Sequence, residues 1–119
     1  MKDAEVKQLL KSEGYPEHVW KGGKKGLVEK WAKFVEEVEA GYRLTLEDYR
    51  NDLDVRSLIA RLGLDEEVAE LDERFRRCLV FSAKAIWECD QPHAFWIYGY
   101  PKNARGELKK DLRAEGFLS

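Results

Sequence analysis

The strongest constraint in this 119-residue sequence is one apolar stripe with helical spacing over residues 25–40. Apolar residues that recur three and four positions apart lie on one face of an α-helix. The stripe consists of Leu27, Val28, Trp31, Phe34, Val35 and Val38, and Tyr42 extends it. Because a face this wide must be covered by other elements, the stripe predicts a central helix around which the rest of the chain packs.

Three glycines predict where other helices end. Gly14, Gly63 and Gly116 each precede an apolar residue, and a second apolar residue stands five positions before the first. This is the spacing of a Schellman motif, in which a glycine with positive φ closes the helix and the two apolar side chains are in contact. We therefore expect helices that end at these three glycines.

Further helices are indicated by capping residues. Thr45 and Asp54 are both good N-cap residues, and the apolar stripe shifts near the second, so we expect a bend or break in the helix over 46–62. Asp65 is predicted to cap the following helix, whose apolar stripe includes Cys78. Cys78 is therefore expected to be buried.

Residues 84–100 differ from the helical remainder. Lys84–Glu88 and Ala94–Tyr100 are separated by turn-forming residues, and the second segment is rich in aromatic residues, which favours a short β-hairpin. Continuation of the preceding helix through residues 80–88 is the alternative. We predict a mainly α fold of the α+β type, with about five short to medium helices packed around the 25–40 helix and a hairpin near 84–100.

The composition fits one domain over residues 1–119. Apolar residues make up 44% of the chain, which provides a core for a domain of this size. No apolar run reaches the roughly 18 residues that cross a bilayer, and no signal-peptide pattern opens the chain, so we expect a cytoplasmic protein without a membrane partner. The 21 basic and 23 acidic side chains give a net charge of -2, which argues against a nucleic-acid partner.

Residues that carry catalytic or metal chemistry are few. The histidines are His18 and His93, the cysteines are Cys78 and Cys89, and their spacing matches no zinc motif. The chain also lacks the G-x-S-x-G nucleophile pattern. We therefore predict no catalytic residue, no bound metal and no cofactor, and expect a protein without enzymatic activity.

The stretch over residues 36–54 carries seven acidic side chains against two basic ones. We predict that it forms a compact anionic surface on which rigid tyrosine rings anchor a basic protein partner. The predicted contact residues are Glu39, Tyr42, Glu47, Asp48, Tyr49 and Asp52. In the alternative, both tyrosines belong to the core and the acids only solvate helix ends.

The sequence leaves two functional hypotheses from different classes. The first is a noncatalytic domain that binds a protein partner, by analogy with the way an immunity or antitoxin protein binds a basic toxin. The second is a small enzyme or ligand-binding domain with its pocket at the aromatic hairpin. The residues predicted for that pocket are Trp87, Cys89, His93, Trp96 and Tyr98. A deep cleft near Trp96 favours the second function, and a flat acidic face favours the first. The sequence predicts no oligomeric state.

Overall fold

Six α-helices and one β-hairpin make up the computed structural model, which describes residues 2–87 and 94–118. The helices are α1 (Asp3–Ser12), α2 (Glu17–Trp20), α3 (Gly23–Ala40), α4 (Leu46–Arg61), α5 (Ala69–Arg77) and α6 (Gly106–Ala114). Strands β1 (Leu79–Ala85) and β2 (Tyr98–Pro101) pair antiparallel. Short 3-10 turns at Asp65–Val68 and Phe95–Ile97 precede α5 and β2. The described residues thus have the predicted mainly α, α+β architecture.

Helix α3 is the central helix, as the apolar stripe predicted. It contacts α1, α2, α4 and α5. Its buried side chains include Trp31 and Phe34, which pack with Phe75 of α5, the Trp31 and Phe75 ring centroids lying 5.0 Å apart. The buried residues join into one core cluster. Among the described helices, none has the length and apolarity that a membrane crossing requires.

The three predicted glycine stops are confirmed. Gly14, Gly63 and Gly116 have φ values of 84°, 71° and 82°, in the left-handed region that favours glycine. In each motif the residue after the glycine donates its N–H to the carbonyl five residues back. These bonds are Tyr15 to Leu10 (3.1 Å), Leu64 to Ile59 (3.0 Å) and Phe117 to Leu112 (2.8 Å). Local sequence therefore determines where α1, α4 and α6 end.

Of the bend or break predicted in the fourth helix, the break is wrong, because α4 is continuous over Leu46–Arg61. Thr45 caps it through a reciprocal capping box with Asp48, in which Thr45 Oγ1 accepts from the Asp48 N–H at 3.1 Å. The buried side nevertheless changes along the helix, because Leu58 is buried five positions after Leu53 and so lies on a different face of α4. The shift of the apolar stripe therefore takes place within one continuous helix and needs no interruption of it.

The hairpin is present, but its boundaries differ from the prediction. Helix α5 ends at Arg77 and β1 begins at Leu79, so residues 80–85 form a strand and do not continue the helix. The segment before β2 is a 3-10 turn over Phe95–Ile97, so Trp96 is not part of a strand as the predicted hairpin required. Trp96 is buried against α4, where its Nε1 donates to Ser57 Oγ at 2.9 Å. The turn and this hydrogen bond together fix Trp96 against α4.

Candidate functional site

A buried ion pair joins α4 to α5. Arg56 and Asp72 are only 2% and 7% exposed. Arg56 Nε and Nη2 donate to the two Asp72 carboxylate oxygens at 2.9 and 2.8 Å, which is the bidentate geometry that makes such pairs strong. Trp31 Nε1 also donates to Asp72 Oδ1, at 3.1 Å. Asp72 therefore connects three helices in the interior.

The Arg56 guanidinium has two further neighbours. Its Nη2 lies 2.7 Å from Asp65 Oδ1, and its central carbon lies 4.4 Å from the centroid of the Trp96 ring. Asp65 was predicted to be the N-cap of α5. It instead opens the 3-10 turn that precedes the helix, and its carboxylate binds Arg56. Arg56 thus fixes the position of Trp96 through stacking as well as the position of α5 through charge.

Arg56, Asp72 and Trp96 line a cleft of about 560 Å³ between α4, α5 and the Phe95–Ile97 turn. The remaining lining residues are Ala60, Asp65, Glu66, Ala69, Glu73, Arg76 and Phe95. Four carboxylates therefore face two guanidiniums. An excess of negative charge in a concave site attracts positive groups. We call this the acidic cleft.

Next to the acidic cleft the hairpin exposes an apolar surface, the hairpin face, formed by Phe81, Tyr98 and the half-buried Leu79. Phe81 is 78% exposed and Tyr98 is 43% exposed. A shallow groove of about 270 Å³ runs along this face, and Arg76 and Phe95 line both the groove and the acidic cleft. The Arg76 guanidinium covers the Phe95 ring, with its central carbon 4.0 Å from the ring centroid. The acidic cleft and the hairpin face therefore form one continuous surface.

The two tyrosines predicted to anchor a partner are buried in the core. Tyr42 and Tyr49 pack against Phe34, with ring centroids 5.6 and 5.4 Å away. The Tyr42 hydroxyl donates to Asp52 at 2.7 Å, and burial raises the pKa of both tyrosines. The expectation that these rings meet a partner is therefore corrected in favour of the core alternative. Both rings are covered by α3, which contributes Phe34 to these contacts.

Most of the predicted acidic contacts have a role within the fold. Glu39 forms an ion pair with Arg74, whose hydrogen bond lowers the pKa of the Glu39 carboxyl. Asp48 completes the capping box. Asp52 holds the Tyr42 hydroxyl, and its own pKa is raised by burial. Within residues 2–87 and 94–118, Glu47 is the predicted acid that has neither an ion pair nor a side-chain hydrogen bond.

The residues predicted for a hairpin pocket are distributed over this surface. Trp96 lines the acidic cleft from a buried position, Tyr98 lines the adjoining groove and Trp87 is half-buried. Cys89 and His93 lie outside the described residues. Cys78 is buried as predicted, and burial raises the pKa of its thiol.

Sequence reasoning missed the buried pair, although a signal for it exists. Arg56 continues the spacing of the buried residues of α4, and Asp72 stands between Val68 and Phe75 on the buried face of the next helix. Opposite charges at core positions of two successive helices predict a buried ion pair. Phe81 offered no comparable signal, because its exposure depends on where the helix changes to a strand.

Comparisons with protein families, curated proteins and solved structures gave no match to this chain. In the described part of the chain, no three His, Cys, Asp or Glu side chains converge as a metal-binding group.

Proposed function

We propose that this is a noncatalytic binding protein that docks a basic protein partner on the acidic cleft and the hairpin face. The observation that carries the proposal is the 78% exposure of Phe81 directly beside the cleft. Full burial of a phenylalanine side chain is worth about 1.5–3 kcal/mol, and large exposed apolar side chains that cluster are typical of interaction sites. A partner that covers Phe81 and Tyr98 recovers this free energy.

Charge favours a basic partner. Asp65, Glu66 and Glu73 are exposed along the rim of the acidic cleft, and Asp72 inside it is paired with Arg56. On the rim, Asp65 also contacts Arg56 and Glu73 forms an exposed ion pair with Arg76, so the excess negative charge is centred on Glu66. Lysine or arginine side chains of a partner can therefore approach the rim without displacing the buried pair. Complementary charge of this kind accelerates association and selects among partners more than it adds affinity.

The floor of the acidic cleft supports binding because its groups are held in place before a partner arrives. Arg56 is fixed by Asp72 and Asp65, and Trp96 is fixed by stacking on Arg56 and by its hydrogen bond to Ser57. A preorganised surface loses less conformational entropy on association. The charges on the floor already have counter-charges within the cleft, so a partner does not have to neutralise them.

A small ligand in the acidic cleft is the second candidate. The volume of about 560 Å³ falls in the range of small-molecule sites, and Phe95 and Trp96 supply an aromatic wall. Such a ligand contacts the cleft but not Phe81, which lies outside the cleft lining. This difference separates the two candidates experimentally.

The experiment is affinity capture from a host lysate with three immobilised proteins: the natural chain, Phe81→Ser and Leu44→Ser. Leu44 is the matched control, because it is 48% exposed and lines neither the acidic cleft nor the hairpin groove. We expect one protein to be retained by the natural chain and by Leu44→Ser, and its affinity for Phe81→Ser to fall about tenfold or more once it is purified.

Charge is then tested with Glu73→Lys. With the purified partner, this variant is expected to lower the association rate, by an amount that shrinks as salt concentration rises. Equal affinity of the natural chain and Phe81→Ser for every captured protein overturns the proposal. A small molecule that raises the melting temperature of the natural chain and of Phe81→Ser alike supports the second candidate instead.

A further inference from the structure

A second cleft, of about 490 Å³, lies where the C-terminal end of α3 meets the N-terminal end of α6. It has no lining residue in common with the acidic cleft or the hairpin groove. Two guanidiniums, those of Arg43 and Arg105, line it. We infer that this arginine cleft binds a small molecule through an oxyanion group, a carboxylate or a phosphate.

Two backbone hydrogen bonds hold the segments that carry Arg43 and Arg105 next to each other. The Arg105 N–H donates to the Tyr42 carbonyl at 2.9 Å, and the Glu107 N–H donates to the Arg43 carbonyl at 3.3 Å. These two bonds clamp the segment after α3 to the start of α6. Because Arg43 and Arg105 extend from neighbouring, hydrogen-bonded segments, a single ligand group can reach both.

Gly41 allows Arg105 to take its position. Gly41 has a φ of 106°, and a Cβ atom added there would lie 2.9 Å from Arg105 Nε. The arginine side chain therefore rests directly against the glycine, and any larger residue would move the guanidinium away from the wall. This contact orients the planar fork of Arg105 before a ligand binds, which reduces the entropy lost on binding.

The charges of the arginine cleft are unbalanced. In the described part of the chain, neither Arg43 nor Arg105 forms an ion pair or a side-chain hydrogen bond, although Glu37 lines the same cleft. The N-terminus of α6 has no side-chain cap, and Glu107 in its first turn offsets part of the positive helix end. Tyr42 also lines the cleft, and its hydroxyl already donates a hydrogen bond to Asp52. Two free guanidinium forks match the paired oxygens of a carboxylate or phosphate.

The test is an NMR titration of the full chain with sodium phosphate and, separately, with sodium acetate, at ionic strength held constant with sodium chloride. We expect saturable shifts of the Gly41 amide and of the Arg43 and Arg105 side-chain Nε–H signals. Saturation with phosphate alone identifies a phosphate group, and saturation with acetate alone identifies a carboxylate. Shifts that grow linearly with both salts, or that sodium chloride reproduces, overturn the inference.

Three variants locate the site. Arg43→Gln and Arg105→Gln are expected to weaken binding of the saturating anion about tenfold or more, because each removes a charge-assisted hydrogen-bonding fork. Arg77→Gln is the matched control, since it removes an exposed guanidinium at the end of α5, outside the arginine cleft. Unchanged affinity in both cleft variants, or an equal loss in Arg77→Gln, overturns the inference. All three side chains are exposed, so the variants are expected to fold.

Discussion

Replacement of Asp72 by asparagine tests whether the buried ion pair holds α5 against α4. The variant keeps the size of the side chain and leaves an oxygen that can accept from Trp31 Nε1. It removes the negative charge, however, and places an amide NH2 group where Arg56 Nη2 now donates to a carboxylate oxygen at 2.8 Å. Two donors then face each other, and the guanidinium stays buried without its bidentate partner.

The expected loss follows from what remains around Arg56. Removal of one partner of a buried pair costs about 3–5 kcal/mol, because the other charge is left uncompensated in the interior. Asp65 still lies 2.7 Å from Arg56 Nη2, but its side chain is 59% exposed and its charge is screened by water. We therefore expect Asp72→Asn to lower the free energy of unfolding by about 3 kcal/mol.

Urea unfolding followed by tryptophan fluorescence measures this loss. Glu73→Gln, the neighbouring and exposed position, is the control, and its change is expected to stay within about 0.5 kcal/mol. The double variant Arg56→Met with Asp72→Asn is expected to lose less than the sum of the two single losses, because it no longer buries an unpaired charge. A loss below about 1 kcal/mol for Asp72→Asn, or an equal loss for Glu73→Gln, refutes the reasoning.

Three further predictions concern the core, the capping box and the half-buried Asp52. Trp31→Ala is expected to destabilise the fold by about 3–5 kcal/mol, because it leaves a large cavity in the core beside the middle of α3. A shift of the urea midpoint that corresponds to less than about 1 kcal/mol would contradict this. Thr45→Ala is expected to cost about 1 kcal/mol in the same assay, and Thr45→Ser, which keeps the hydroxyl cap, is expected to restore most of it. Burial raises the pKa of Asp52 above its ordinary value of 3.8, so the folded state binds this proton more tightly than the unfolded state does. The contribution of Asp52 to stability is therefore expected to fall as pH rises from 3.8 through the folded pKa, and Asp52→Asn should remove that fall; identical pH profiles of unfolding free energy for the two proteins would exclude it.

The sequence by itself determined the features that depend on residues close together in the chain. The stripe over residues 25–40 predicted α3, because helical periodicity is visible within a few turns. The glycine stops and the Thr45 cap followed for the same reason, since each motif is completed within six residues or fewer by groups that belong to one segment. The existence of a hairpin also followed, from the change of composition after residue 80.

The tertiary structure alone decided which of these residues face solvent at the candidate site. Arg56 is buried because Asp72, sixteen positions away, neutralises it, so the spacing within α4 becomes a signal only when it is combined with the acid on the next helix. Tyr42 and Tyr49 face inward because α3 covers them, whereas their acidic neighbours suggested a surface. Phe81 is exposed because β1 begins at Leu79, so that its side chain leaves the core instead of continuing a helical stripe. Burial of a charge or exposure of an aromatic ring depends on contacts between distant segments, and these contacts form only when the whole chain has folded.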